Sequence, residues 1–360
     1  MIVLAIATAI AIPLLFLYLI YTLDLYSSGS FQAVAACFLW GLVSFFLAYL
    51  ANTAALSFVS MTSLVLLVAP ILEEVFKSLA LVYYARKPDF TYFVDGTIYG
   101  FASGIAFSIF ENFLYLAQSP RGGGALILSR AFSTCLMHGS ASALVGISIG
   151  RLRFGRGATR AASVLLGWAA AMALHSSFNR VVNAWSGTQA LAAAIAIGLG
   201  GVGLIALFIQ LGLREEKRWI KETLGLKLGV TTREAEIIKR LDSLDTLLAP
   251  IAARFGREKA EMVRAFLVKQ AQLGIKQKAR ELAPDERLRK ELAEQIEALR
   301  GEMEDLRRRV GIYCMIYVRS IFPQEAMALW NRLEELVGEE REPRVDLWGK
   351  LKEKAGRTEG

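Results

Sequence analysis

Residues 61–84 read MTSLVLLVAPILEEVFKSLALVYY, a largely apolar stretch interrupted by Glu73, Glu74 and Lys77. About 20 apolar residues cross a bilayer as a helix, so this stretch is long enough to span one. Ionisable groups at such depth are expensive and are functional candidates by default. Glu73 and Lys77 are four residues apart and Glu74 and Lys77 three apart, so Lys77 can pair with either carboxylate on one helix face. Pro70, just before them, has no N–H. In an α-helix it would free the carbonyl of Leu66 and kink the chain, which is tolerated where protein or water satisfies the backbone.

Working outward, six more stretches have the length and apolarity of spans: 2–23, 32–50, 96–118, 125–149, 161–182 and 189–213. The chain is 54% hydrophobic, which no ordinary soluble domain matches. Its charges are segregated: residues 1–213 carry 16 of the 74 Asp, Glu, Lys and Arg residues. The expected architecture is all-α, a polytopic bundle of about seven transmembrane helices over 1–213 followed by a charged helical domain over 214–360. The first stretch lacks a basic flank and a small-residue cleavage site, so it is read as a retained span, not a cleaved signal.

Arg86 and Lys87, then Arg151, Arg153, Arg156 and Arg160, then Arg214, Lys217, Arg218 and Lys221 fall in alternate loops. The positive-inside rule makes those loops cytoplasmic, with the N-terminus outside and 214–360 inside. The loops with Arg121 and Arg180 are then outside. A prokaryotic plasma membrane is the expected location. The net charge of +8 divides evenly between the two parts. The tail is therefore mixed in charge, which excludes a basic nucleic-acid-binding block and leaves contact with anionic headgroups as a weaker option. Leu288, Leu292, Ile296, Leu299, Met303, Leu306 and Val310 recur at helical spacing and predict an amphipathic helix in a hairpin or bundle. Self-association or protein docking is the expected role of 214–360, and the residues after Glu339 are expected to fray. Cys37, Cys135 and Cys314 form neither a disulfide framework nor a C-x-x-C zinc pattern.

The chemistry-bearing residues inside spans are few: Glu73, Glu74, Lys77, Glu111, His138 and His175, the last two being the only histidines of the chain. At 1.5 Å per residue, Glu73 and His138 lie roughly 18–20 Å from the outer ends of their spans, and Glu111 and His175 roughly 10 Å. Four consecutive helices can thus direct polar groups into one cavity between the midplane and the outer leaflet. His175 and Asn179 share a helix face. Gly96, Gly100, Gly104 and Ser108 form one small-residue stripe, and Thr134, His138, Ser142, Gly146 and Gly150 another, which lets neighbouring backbones approach closely.

At these residues the sequence resembles the PrsW family of intramembrane proteases, within the wider superfamily of type II CAAX prenyl endopeptidases. Glu73-Glu74-Val75-Phe76-Lys77 matches EExxK. Phe107 to Glu111 matches FxxxE and continues into Asn112. His138 matches the lone histidine of the next span, and His175 to Asn179 matches HxxxN. The prenyl endopeptidases carry EExxxR and FxxxH, so Lys77 and Glu111 favour the PrsW branch. The resemblance covers about 60–182 and leaves the tail aside.

It implies an intramembrane endopeptidase that cuts a membrane-anchored protein near the extracytoplasmic face, as in the release of an anti-sigma-like factor. Hydrolysis needs a base for water, an acid for the amine and donors for the oxyanion. Glu73 is the expected base, with Glu74 next; neighbouring helix positions point about 100° apart, so one of the two is expected to hold Lys77. The resemblance makes His175 and Asn179 the oxyanion donors. A zinc mechanism uses the same residues: His138, His175 and Glu111 as ligands with Glu73 or Glu74 as base. Two other classes compete, a proton- or ion-coupled transporter and a non-catalytic membrane scaffold of the same superfamily. No internal repeat of the transporter kind is visible.

Overall fold

The computed structural model describes residues 2–24, 26, 29–118, 123–153, 158–225 and 244–321. Among them it is 90% helical, with no strand. In chain order the elements are α1 (Ile2–Thr22), α2 (Phe31–Ala55), α3 (Met61–Ser63), a π-helical turn (Leu64–Val68), α4 (Ala69–Tyr84), α5 (Phe93–Gln118), α6 (Gly123–Phe132), α7 (Thr134–Leu152), α8 (Ala158–Ala184) and α9 (Gly187–Gly225). Then follow α10 (Leu244–Phe255), α11 (Arg257–Leu282), α12 (Glu286–Val310) and α13 (Ile312–Ile321). Arg121, Arg156 and the chain beyond Glu339 lie outside the described residues.

Four helices are long and apolar enough to cross a membrane: Phe31–Ala55, Phe93–Gln118, Leu128–Arg151 and Gly187–Ile220. The other three expected spans are helical but do not reach that mark. The apolar part of α1 is the shorter Ile6–Thr22. The stretch 61–84 is broken by the π turn and carries Glu73, Glu74 and Lys77. The third, within α8, carries His175 and Arg180. The expected span over 125–149 is also two helices, α6 and α7, parted at Ser133.

The centre of the bundle is the α5–α7 pair, and glycine sets its distance. A Cβ on Gly96 would lie 2.3 Å from the carbonyl oxygen of Gly146, one on Gly100 2.3 Å from that of Ser142, and one on Gly104 2.2 Å from that of His138. Numbers rise on α5 as they fall on α7, so the helices run antiparallel with matching four-residue steps. In hydrocarbon apolar side chains gain little by leaving lipid, and close backbone contact supplies the van der Waals attraction instead. The small-residue stripes therefore bring the backbone of His138 directly against α5. A third helix closes in the same way: a Cβ on Gly41 of α2 would meet the carbonyl oxygen of Ser103 at 2.2 Å. On α4, the carbonyl of Phe76 accepts from Trp40 Nε1 (2.8 Å), that of Lys77 from Ser103 Oγ (3.0 Å), and Ser78 Oγ from Trp168 Nε1 (2.8 Å).

Pro70 shapes the entry to α4, though not as an α-helical register predicts. In the π turn the N–H of Ala69 donates to the carbonyl of Leu64. The next carbonyl, Val65, would need the N–H of Pro70, which does not exist. The π register thus makes Val65 an acceptor that Pro70 leaves free. Asn179 of α8 fills the gap, its Nδ2 donating to Val65 O at 2.9 Å.

The chain divides into two compact units, one of Met1–Ile220 with Leu267–Leu299, the other of Lys221–Phe266 with Arg300–Gly360. Within the first, the end of α11 and the start of α12 form an antiparallel hairpin: Lys276 Nζ donates to Gln295 Oε1 (2.7 Å), and Ala279, Ala283, Leu288 and Leu292 pack together. Asp285 Oδ1 caps the N–H of Leu288 at 2.8 Å. The hairpin meets the loops of the bundle, where Gln272 Nε2 donates to Tyr26 O (3.0 Å) and Gln295 Nε2 to Asp89 Oδ1 (2.5 Å). Of the predicted α12 stripe, Leu288, Leu292, Ile296, Leu299, Met303 and Val310 are buried.

Two outcomes follow. Gly104→Val drives methyl groups into the His138 carbonyl, and thermal unfolding in detergent micelles is expected to show a loss of about 1–3 kcal/mol or more. Asn179→Leu leaves the Val65 carbonyl buried and unpaired, and the same assay is expected to show a loss of about 1–3 kcal/mol.

Candidate active site

The site is assembled from α4, α5, α7 and α8, with an edge from α2. Its anchor is the Glu74–Lys77 pair, one helical turn apart on α4, at 2.6 Å with both side chains fully buried. Glu74 is used on both oxygens. Oε1 takes Lys77 and His175 Nδ1 (3.0 Å), and Oε2 accepts from Ser142 Oγ at 3.2 Å. Lys77 reaches on to His138 Nδ1 at 2.9 Å. Its ammonium also lies 4.7 Å from the centre of the Phe107 ring, a cation–π contact.

These contacts orient both imidazoles. A carboxylate only accepts, so His175 carries a proton on Nδ1, and its Nε2 faces Glu73. An ammonium only donates, so His138 accepts at Nδ1 and carries its proton on Nε2, which faces Glu111 Oε2 at 3.2 Å. The two rings lie edge to face, 4.6 Å between centres.

Glu73 is the less committed of the two neighbouring glutamates. Oε1 accepts from Asn52 Nδ2 of α2 at 3.2 Å. Oε2 is buried without a hydrogen bond, 3.8 Å from His175 Nε2. So Lys77 takes Glu74 and leaves Glu73 to the other side of α4, as the angular step between them requires. One ligand atom each from Glu73, His138 and His175 lie within 4.8 Å of one another. This differs from the set expected for zinc, His138, His175 and Glu111. Glu111 is drawn off by Arg130, whose Nη2 donates to its Oε2 at 2.8 Å.

Arg130 was not singled out in the sequence, although an arginine inside the apolar stretch 125–149 is as costly as a buried glutamate. It lies 3.7 Å above the Tyr115 ring and donates through Nε to Asn112 Oδ1 at 2.8 Å. Asn112 in turn donates from Nδ2 to Cys135 Sγ at 3.0 Å. Ser142 and Asn52 were also missed, and neither carries a signal: one is a serine in a small-residue stripe, the other lies just beyond an expected span. Asn179 is committed through Nδ2 to the Val65 carbonyl, and His175 through Nδ1 to Glu74. The expected pair of oxyanion donors is thus engaged otherwise in this arrangement.

Glu73 and Glu111 open on a cavity of about 230 Å³. Asn52, Thr53 and Gln118 give it further polar edges, and Phe45, Tyr49, Leu64, Phe107, Leu114 and Tyr115 line the rest. Two carboxylates on an apolar wall inside a helical bundle provide a place where an apolar chain could meet proton-transferring groups.

No curated protein and no solved structure matches the chain. A family model does, described as the PrsW family intramembrane metalloprotease, over residues 29–212. That span takes in every residue of the cluster just described, and on it the chain belongs to the PrsW family of intramembrane metalloproteases.

Proposed function

We propose that the chain is an endopeptidase that cleaves a membrane-anchored protein at the cavity between α2 and α5, on the extracytoplasmic side, with Glu73, His138 and His175 as the reacting centre. One observation carries this reading. Glu73 Oε2 is buried without a hydrogen-bond partner and faces His175 Nε2 at 3.8 Å, in a group with His138 whose ligand atoms lie within 4.8 Å of one another. A buried carboxylate oxygen left so calls for a cation or a proton beside it.

The residues fit a zinc ion. Glu73 supplies an oxygen and His175 a nitrogen whose orientation is set by Glu74, the usual carboxylate-to-histidine support of a metal ligand. His138 could complete the three if Nε2 passed its proton to Glu111 Oε2, 3.2 Å away, while Nδ1 took one from Lys77, so that the imidazole stays neutral. When bound, zinc supplies a Lewis acid that polarises a carbonyl and acidifies water. The chain's own residues do the remaining work. Glu74 and Lys77 hold both imidazoles. Arg130 fixes Glu111 on the cavity wall. Glu111 would then hold that proton, ready for the amine that leaves as the C–N bond breaks. The apolar wall keeps bulk water from the peptide.

A second reading keeps the peptidase and drops the metal. Lys77 donating to His138 Nδ1 leaves the proton on Nε2, which blocks that nitrogen as a ligand. Glu73 then takes the proton of the attacking water itself, and Glu74 remains the support.

The positive-inside pattern supports an extracytoplasmic cavity, since the cavity lies where α2 and α5 finish. It also places 214–360 in the cytoplasm as a helical domain for docking or self-association. Release of an anti-sigma-like factor by regulated proteolysis is the process the family suggests.

Purified full-length chain in detergent, assayed on candidate single-span proteins, is the test. Glu73→Gln is expected to lower cleavage by about 10²-fold or more with unchanged thermal stability; retained cleavage would remove Glu73 from the chemistry. Metal analysis of the same samples is expected to give about one zinc per chain, lost in His138→Ala and His175→Ala. Cleavage without bound zinc, still abolished by Glu73→Gln, selects the second reading.

A further inference from the structure

Among the described residues around the cavity, two side-chain atoms are buried without a hydrogen bond, Glu73 Oε2 and Asn52 Oδ1. The first belongs to the reacting centre. The second has no part in the chemistry described so far. Asn52 stands in the last turn of α2, and its Nδ2 donates to Glu73 Oε1 at 3.2 Å. A carboxylate only accepts, so this bond sets which way the amide faces: nitrogen to Glu73, oxygen away from it. Trp40 Nε1 on the Phe76 carbonyl and Gly41 against Ser103 hold α2 to α4 and α5, so the amide is carried on a fixed helix.

A peptide bond inside a helix is shielded by its neighbours and must be drawn out before it can be cut. Each N–H released in that way loses its acceptor, and an unpaired donor is costly away from water. The cavity walls supply few replacements. Phe45, Leu64, Phe107 and Leu114 offer no acceptor from their side chains. Thr53 Oγ1 donates back to Tyr49 O at 2.8 Å. Arg130 and His138 share Glu111 Oε2. Asn52 Oδ1 is a neutral acceptor beside the carboxylate of the reacting centre, and no donor of the chain reaches it. The terminal torsion of asparagine is broad, so a small rotation turns this oxygen to a donor in the cavity.

We propose, resting on the peptidase reading, that Asn52 is a substrate-positioning residue: Oδ1 accepts a backbone N–H of the substrate beside the scissile bond while Nδ2 holds Glu73 Oε1. One amide thereby sets the carboxylate and the peptide against each other. The substrate class that fits is a membrane-anchored chain whose cleaved segment is unwound where it enters the cavity. An N–H in the interior of an intact helix is already taken by its own chain and has nothing to give Asn52.

The test uses the full-length chain in detergent and a single-span protein that it cuts, with the cleavage site mapped by mass spectrometry. Semisynthetic versions of that substrate carry an ester in place of one amide at each position flanking the scissile bond, the scissile bond itself being left as an amide. The ester keeps the shape of the chain and removes the N–H. At one position kcat/KM is expected to fall about 5–10-fold for the unaltered chain. In Asn52→Ala the amide and the ester at that position are expected to be cut equally, whatever the overall rate. Asn52→Asp retains an acceptor and is expected to keep the discrimination while its overall rate falls, because Glu73 loses its donor. The amide-to-ester ratio is taken within one enzyme preparation, so incomplete folding of a variant does not move it. A ratio in Asn52→Ala equal to that of the unaltered chain overturns the proposal, as does a ratio near one at every position. If the unaltered chain cuts no membrane-anchored protein, the peptidase reading falls and the proposal falls with it.

Discussion

The structure depends on a buried ion pair. Glu74 and Lys77 lie in the middle of an apolar helix with no access to solvent. Removing two charges from water is repaid only when every lone pair and proton finds a partner. Here the remaining partners are His175, Ser142, His138 and the face of Phe107, drawn from α8, α7 and α5. The electrostatic requirement of one helical turn thereby dictates which neighbours must surround it. In the same act it orients both imidazoles, and with them the His175 Nε2 that faces Glu73.

That convergence requires helices closer than ordinary side chains permit. Glycine at 96, 100 and 104 removes the Cβ atoms that would hold α7 away, and Gly41 does the same for α2. Packing and chemistry are therefore linked: the step that brings Gly104 against the His138 backbone also brings the imidazole to Lys77 and Glu111. The π turn before α4 adds a second link, since Asn179 satisfies the carbonyl released by Pro70 and ties α8 to the helix that carries both glutamates.

Much of this was legible in the sequence because hydrocarbon is an unforgiving solvent. Apolar length marked the helices, and the scarcity of ionisable groups in them made Glu73, Glu74, Lys77, Glu111, His138 and His175 conspicuous. The structure gathers all six. What the sequence left open was decided by geometry it does not encode locally. Whether Lys77 takes Glu73 or Glu74 turns on where His138 and Ser142 stand. Whether Glu111 joins the histidines turns on Arg130, whose partner is on another helix. That the Val65 carbonyl needs a partner was hidden because a π turn shifts hydrogen bonding by one residue. Four of the seven expected spans carry the length and apolarity that mark one by themselves, while polar residues and helix breaks leave the other three stretches short of that mark.

The central claim is that the Glu74–Lys77 pair organises the site as a unit. A double-mutant cycle on the full chain, comparing Glu74→Gln, Lys77→Met and the combined variant in thermal or steric-trap unfolding, measures it most directly. Each single change strands a buried charge and should destabilise by about 3–5 kcal/mol, while the double change should restore most of that loss. Additive losses, with the double variant as unstable as the two singles combined, would mean that the carboxylate and the ammonium are held independently and that the pair does not set the architecture around it.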